Sequence, residues 1–118
     1  MITIYGIKNC DTMKKAIKWL ESIGQDYIFH DYRKEGLNET TLKTWVDQFG
    51  LDVILNKRGT TWRKLPDDVK ENINQSSALQ IMLENPAMIK RPIFVVANET
   101  IVGFSVKEQT ALENILRN

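Results

Sequence analysis

The first thirty-two residues constrain the fold more than any other part of the chain. Ile2 and Ile4 alternate with Thr3 and Tyr5, the two-residue period of a short strand with one face in the core, and Gly6 is expected to break it. From Asp11 the apolar residues Met13, Ala16, Ile17, Leu20 and Ile23 recur at helical spacing, with Gly24 placed as a C′ residue. Tyr27-Ile28-Phe29-His30-Asp31-Tyr32 is rich in β formers and reads as a second strand. A strand, a helix and a strand with short joints make a βαβ unit, so these two strands should run parallel.

The middle of the chain reads as helices. Asn38 is a good N-cap for a helix with Leu42, Trp45, Val46 and Phe49 on its apolar stripe, ended by Gly50. Leu51 to Leu55 forms a short helix, and Asn56 to Arg63 reads as a polar loop with Trp62 between Arg58 and Arg63. Pro66 suits the first position of a small helix that turns Val69 and Ile73 inward. Ser77 with Gln80 matches a capping box for a helix bearing Leu79, Met82 and Leu83, stopped by Pro86.

The last third changes character. Ile93 to Ala97 is a continuous apolar run, as in a strand buried on both faces. Asn98-Glu99-Thr100 offers turn residues before a partner strand at Ile101-Val102-Gly103-Phe104. Ser105 with Glu108 repeats the capping-box pattern ahead of a helix carrying Leu112, Ile115 and Leu116. The expected order is βαβ, several helices, then ββα, in one α/β domain over residues 1–118.

Composition removes several function classes. A formal charge of +1 without a basic run is no footprint for nucleic acid. No window has the length of a membrane span, and Ile2 to Ile7 is too short for a signal peptide, so the expectation is a cytoplasmic protein. One cysteine and one histidine exclude an internal disulfide and a multi-cysteine or histidine-cluster metal site, and no bound cofactor is expected.

That one cysteine, Cys10, stands where the first strand gives way to the first helix. Free N–H groups and the helix dipole favour an anion there, and the anion of a thiol is its reactive form. Lys8, Lys14 and Lys15 would lower the thiol pKa further, Asp11 would oppose them, and Asp11 or Thr12 is expected to start the helix. Met13 occupies the place of a resolving thiol, so any disulfide cycle must borrow an external thiol, for which glutathione is the obvious candidate. Lys90-Arg91-Pro92 leads into the apolar strand. Pro92 is tolerated at a strand's first position and is a candidate for a cis bond, while Arg91 offers a rigid fork to a carboxylate or oxyanion. Arg58 and Arg63 would add positive charge, Trp62 serves as core cover or as a wall of the site, and His30 reads as a structural histidine.

Three segments together carry a resemblance: Tyr5-Gly6-Ile7-Lys8-Asn9-Cys10-Asp11-Thr12, Leu55 to Leu65, and Ile89-Lys90-Arg91-Pro92. They are similar to the arsenate-reductase-like (ArsC/Spx) family, and within it to the YffB-type group. The resemblance implies a thioredoxin-like fold with a helical insertion between its halves. It also implies Cys10 as redox nucleophile acting by way of a glutathione adduct, Arg58 and Arg91 as oxyanion ligands, Pro92 as the cis-proline, and Asn9 as a loop residue beside the sulfur. Val102-Gly103-Phe104-Ser105 lacks the third arginine of the arsenate reductases, and Met13 replaces the second thiol of many Spx regulators.

The expectation is a glutathione-dependent thiol reductase. Its catalytic residue is Cys10, its binding residues are Asn9, Arg58, Arg91 and Pro92, and its accessory residues are Lys8, Thr12, Trp62 and Arg63. Its partners are glutathione and an oxidised or anionic substrate. The alternative is an Spx-like regulator that binds the RNA polymerase α subunit without a dithiol switch. Arsenate reduction ranks third.

Overall fold

A computed structural model describes residues 1–117. Along the chain the elements are β1 (Ile2–Gly6), α1 (Asp11–Ser22), β2 (Tyr27–Asp31), α2 (Tyr32–Glu35), α3 (Glu39–Phe49), α4 (Leu51–Ile54), α5 (Thr60–Arg63), α6 (Asp67–Glu71), α7 (Gln75–Glu84), a 3₁₀ turn (Pro86–Met88), β3 (Ile93–Val96), β4 (Glu99–Val102) and α8 (Val106–Arg117). Two compact units result: Met1–Glu35 with Arg91–Asn118, and Gly36–Lys90.

The first unit is a mixed four-stranded sheet in the order β2-β1-β3-β4. β1 and β2 are parallel, as the βαβ reading requires, and β1–β3 and β3–β4 are antiparallel. Register decides which side chains meet. Ile4 lies between Phe29 and Phe94, and Ile2 between Tyr27 and Val96, so these residues share one face. Met13, Ala16 and Leu20 of α1 and Leu112 of α8 close over that face, and with Ile2, Ile4 and Phe94 they form a fully buried cluster. Each large apolar side chain taken fully out of water there contributes about 1.5–3 kcal/mol. Tyr5, His30 and Ile93 share one register position on the opposite face.

Gly6 is the last residue of β1 rather than a break after it, and it is buried. A Cβ there would collide with the side chain of Met13, with Cε only 2.7 Å away. The glycine lets the first turn of α1 approach the strand.

In the second unit Asn38 caps α3 as expected. Its Oδ1 accepts the Thr40 N–H at 2.8 Å and the Thr41 N–H at 3.4 Å, and Leu42, Trp45 and Val46 are buried. Gly50 ends the helix at φ 95. Leu55 bridges Ile89, with Asn56 N–H donating to Met88 O and Lys90 N–H to Ile54 O, both at 2.8 Å, so the C-terminal end of the unit is tied back to the segment after α4. Asn38→Ala is expected to cost about 1 kcal/mol of stability in urea unfolding, the usual loss for an N-cap.

Several boundaries differ from the sequence reading. Tyr32 leaves β2 and begins α2. Thr60–Arg63, read as loop, makes one helical turn. Pro66 occupies the N-cap of α6 rather than its first position. α7 starts at Gln75 with Asn74 as cap, and Ser77 is the N3 partner: Ser77 N–H donates to Asn74 Oδ1 at 2.9 Å and Asn74 N–H to Ser77 Oγ at 3.0 Å. Asn74 wins because its amide oxygen reaches the N3 amide better than Ser77 could from inside the turn. The hairpin turn is Ala97-Asn98, with Ala97 at φ 53, so Glu99 and Thr100 belong to β4 and Phe104 lies beyond it. Ile93 and Phe94 are buried, but Val95 and Val96 are only half-buried, and Ile23 is exposed. The Ser105–Glu108 pairing forms as expected, with Ser105 N–H donating to Glu108 Oε1 at 2.9 Å.

The βαβ and ββα halves around one sheet, separated in sequence by a helical segment, make this a thioredoxin-like fold.

Candidate active site

Cys10 is itself the N-cap of α1, a position the sequence assigned to Asp11 or Thr12. Its backbone is extended (φ −123, ψ 129) and its carbonyl accepts the first helical bond from Lys14 N–H at 3.0 Å. An N-cap side chain faces the free N–H groups two and three residues on, here those of Thr12 and Met13. The neutral thiol makes no capping hydrogen bond, since sulfur is a large and weak acceptor. Ionisation changes that balance, because a thiolate attracts the same amides strongly.

Partial burial by itself would raise the thiol pKa. It is outweighed by the Met13 N–H, by the Arg91 guanidinium acting through a hydrogen bond and its charge, and by the Thr12 N–H, so the thiol is held below its ordinary value. Thr12 thus acts through its backbone. Lys8 and Asn9 lie in the exposed turn before Cys10, and Lys14 and Lys15 are exposed on α1.

Arg91 reaches Cys10 for a topological reason. Tyr5 pairs with Ile93, so the start of β3 lies beside the end of β1. Arg91 and Pro92 precede Ile93, and Cys10 follows β1, at the same end of the sheet. The Arg91–Pro92 bond is cis and Pro92 is buried. Gly103 N–H donates to Pro92 O at 2.9 Å, which continues the β3–β4 pairing up to this loop.

Arg58, Trp62 and Arg63 lie in the second unit. Arg58 and Arg63 are exposed and Arg58 N–H donates to Asn56 Oδ1 at 3.1 Å. Trp62 is half-buried, with Lys57 Nζ 5.4 Å from its ring centroid. His30 packs against Tyr5 with ring centroids 4.8 Å apart, and its Nδ1 lies 4.0 Å from Glu35 Oε2. Sequence reasoning missed Tyr32. It is buried, its ring stacks on Tyr5 at 6.5 Å, and its hydroxyl feels the Arg91 charge.

Fold and site together define a thioredoxin-like domain with one thiol at the start of its first helix. A model of the ArsC family matches residues 5–112, and the chain belongs to that family. An arsenate reductase (ArsC) related protein from Brucella melitensis is 50% identical, with a TM-score of 0.76, over 93% of this chain and 92% of its own. The structure of a YFFB protein is 40% identical, with a TM-score of 0.88, over 94% of this chain and 97% of its own. The global transcriptional regulator Spx of Streptococcus pneumoniae is 29% identical over 92% of this chain and 82% of its length. No helix among the described residues is long and apolar enough to cross a membrane.

Proposed function

We propose that the protein is a glutathione-dependent thiol reductase with Cys10 as its single nucleophile. The observation that carries this is a lone, partly exposed thiol at the N-cap of α1 with the Arg91 guanidinium beside it, a setting that favours the thiolate. The Cys10 thiolate attacks the glutathione sulfur of a mixed disulfide. The S–S bond breaks, and the substrate sulfur leaves with the electron pair as a thiolate. A second glutathione thiolate then attacks the glutathione sulfur now bound to Cys10, releasing oxidised glutathione and the Cys10 thiolate. One substrate disulfide is reduced and one glutathione is consumed in net. Met13 is fully buried at the third position after Cys10 and the chain has no second cysteine, so the resolving thiol comes from outside.

Arg91 stabilises the thiolate and offers its fork to a carboxylate of glutathione, with Asn9 and Pro92 lining the loop beside the sulfur. The resemblance assigns Arg58 to an anion as well, and Lys8, Thr12, Trp62 and Arg63 are proposed as accessory residues. A glutathionylated peptide with glutathione and a coupled reductase tests the reading. Turnover that requires Cys10 supports it, and no turnover above the uncatalysed exchange rejects it. Arg91→Met is expected to raise the Cys10 thiol pKa and so to lower its alkylation rate at pH 7 by about three- to tenfold.

The similarity to Spx supports a second reading, an adaptor that binds the RNA polymerase α subunit. Binding to the α C-terminal domain that survives Cys10→Ser, together with no turnover, would favour it. Arsenate reduction ranks third, because no arginine stands between Val102 and Ser105; arsenate-dependent NADPH oxidation in a coupled assay would revive it.

A further inference from the structure

The registers of the sheet divide the charges of the first unit between its two ends. Gly6 pairs with Asp31 and Tyr5 with Ile93, so the ends of β1 and β2 and the start of β3 lie together. Cys10 opens α1 at that end. Lys8 stands in the turn before it, and Lys14 and Lys15 near the start of the helix, all exposed. Arg33 and Lys34 are exposed on α2, which follows β2 directly. None of these lysines and arginines is ion-paired among the described residues, whereas Lys43, Lys57 and Lys70 of the second unit each meet an aspartate. In the order β2-β1-β3, Arg33 and Lys34 lie to one side of β1 and Arg91 to the other. The cations therefore flank the thiol on both sides.

The carboxylates at this end are fewer, and most are turned to the backbone. Asp31 Oδ1 accepts the Arg33 N–H at 2.9 Å and the Lys34 N–H at 3.4 Å, and Glu35 Oε2 accepts the Asp31 N–H at 3.1 Å. Glu108 Oε1 accepts from Ser105 N–H and Oγ–H, with Lys107 next to it in sequence. Only Asp11 remains, exposed at the start of α1. Glu21, Asp26 and Glu99 belong to the opposite end of the sheet: Glu21 is in the last turn of α1, Asp26 precedes Tyr27 opposite Ile2, and Glu99 pairs with Val96. Charges of one sign gathered within about a Debye length, roughly 8 Å, act together and concentrate a partner of the other sign. Glutathione carries a carboxylate at each end, and Arg91 answers one of them. Cations spread over three neighbouring strands, about 10 Å of sheet, suit a longer anion.

We propose that this basic rim is a docking surface for acidic protein segments, and that the substrates of Cys10 are glutathionylated cysteines flanked by aspartate or glutamate. The inference rests on the proposed reductase activity and adds the class of substrate. The chemistry is unchanged: Cys10 takes the glutathione sulfur, and the protein cysteine leaves as a thiolate. Nucleic acid would meet the same charge, but it brings no sulfur to the thiol at the centre of the rim.

Two synthetic peptides of equal length, each with one glutathionylated cysteine, test the proposal. In one the cysteine is flanked by aspartate and glutamate, in the other by serine and glutamine. Turnover with glutathione and a coupled reductase is read as kcat/KM at low and high salt. The wild type is expected to prefer the acidic peptide about tenfold at low salt, the lower end of electrostatic enrichment. Most of that preference should vanish near 1 M salt, where the Debye length falls to about 3 Å. In Arg33→Glu/Lys34→Glu the two kcat/KM values should draw together, while alkylation by neutral iodoacetamide reports on the thiol itself and circular dichroism melts on the fold. Should that variant fail to fold, Arg33→Gln/Lys34→Gln takes its place. Equal kcat/KM for the two peptides in the wild type, or a preference that the double variant keeps, overturns the docking surface and leaves the reductase reading intact. Equal values together with binding of a short DNA duplex would assign the rim to nucleic acid and equally overturn it. Turnover of neither peptide above the uncatalysed exchange rejects the underlying reductase reading instead.

Discussion

Cys10→Ser will form no glutathione adduct and will show no reductase turnover, a fall of at least about a thousandfold, as when other covalent nucleophiles are removed. The serine hydroxyl is a far weaker acid than the thiol, so the amides of Met13 and Thr12 and the charge of Arg91 act on a neutral group that cannot attack a disulfide. The same substitution alters stability in a pH-dependent way. The folded thiol pKa is lowered, so the unfolded chain binds more protons between the folded and unfolded values. The ionised thiol therefore stabilises the fold above the ordinary thiol range, and that contribution fades as pH falls through the lowered value. Urea unfolding of wild type and Cys10→Ser should diverge on the alkaline side and converge on the acid side. Parallel curves would contradict the assigned direction.

The second large effect belongs to the Gly6–Met13 contact. Met13 is fully buried, so Met13→Ala is expected to cost about 2–5 kcal/mol in urea unfolding, the range for emptying such a site. Gly6→Ala places a methyl where the Met13 thioether lies, an overpacking that costs about 1–3 kcal/mol. The two compete for one space, so the double variant should lose less than the sum of the single losses. Additive losses would mean that α1 does not rest on β1 at this point. The pair matters for the site because α1 carries both amides that face Cys10, and the first turn of that helix is seated by Met13.

The parts of the fold visible in the sequence are those with a local period. Ile2 and Ile4, the Met13–Leu20 stripe and Tyr27–Asp31 each repeat within a few residues, and short joints force the parallel pairing. The Ala97-Asn98 turn was hidden because alanine gives no left-handed signal, which moved the start of β4 to Glu99. Thr60–Arg63 was hidden because one helical turn is too short to show a period. Asn74 was overlooked because Ser77-x-x-Gln80 matched the same capping pattern three residues later. At the site, the position of Cys10 could be read from the chain, since strand and helix meet there. The approach of Arg91 could not, because it depends on the register of β3 against β1, which joins residues some ninety positions apart.

The most direct test of the central claim uses the lone cysteine. The reduced protein is treated with oxidised glutathione across a range of pH and weighed intact. One glutathione per chain, forming with a pH midpoint below that of a free thiol, is the predicted result. No adduct, or a midpoint at or above the ordinary thiol value, would contradict Cys10 as an activated nucleophile.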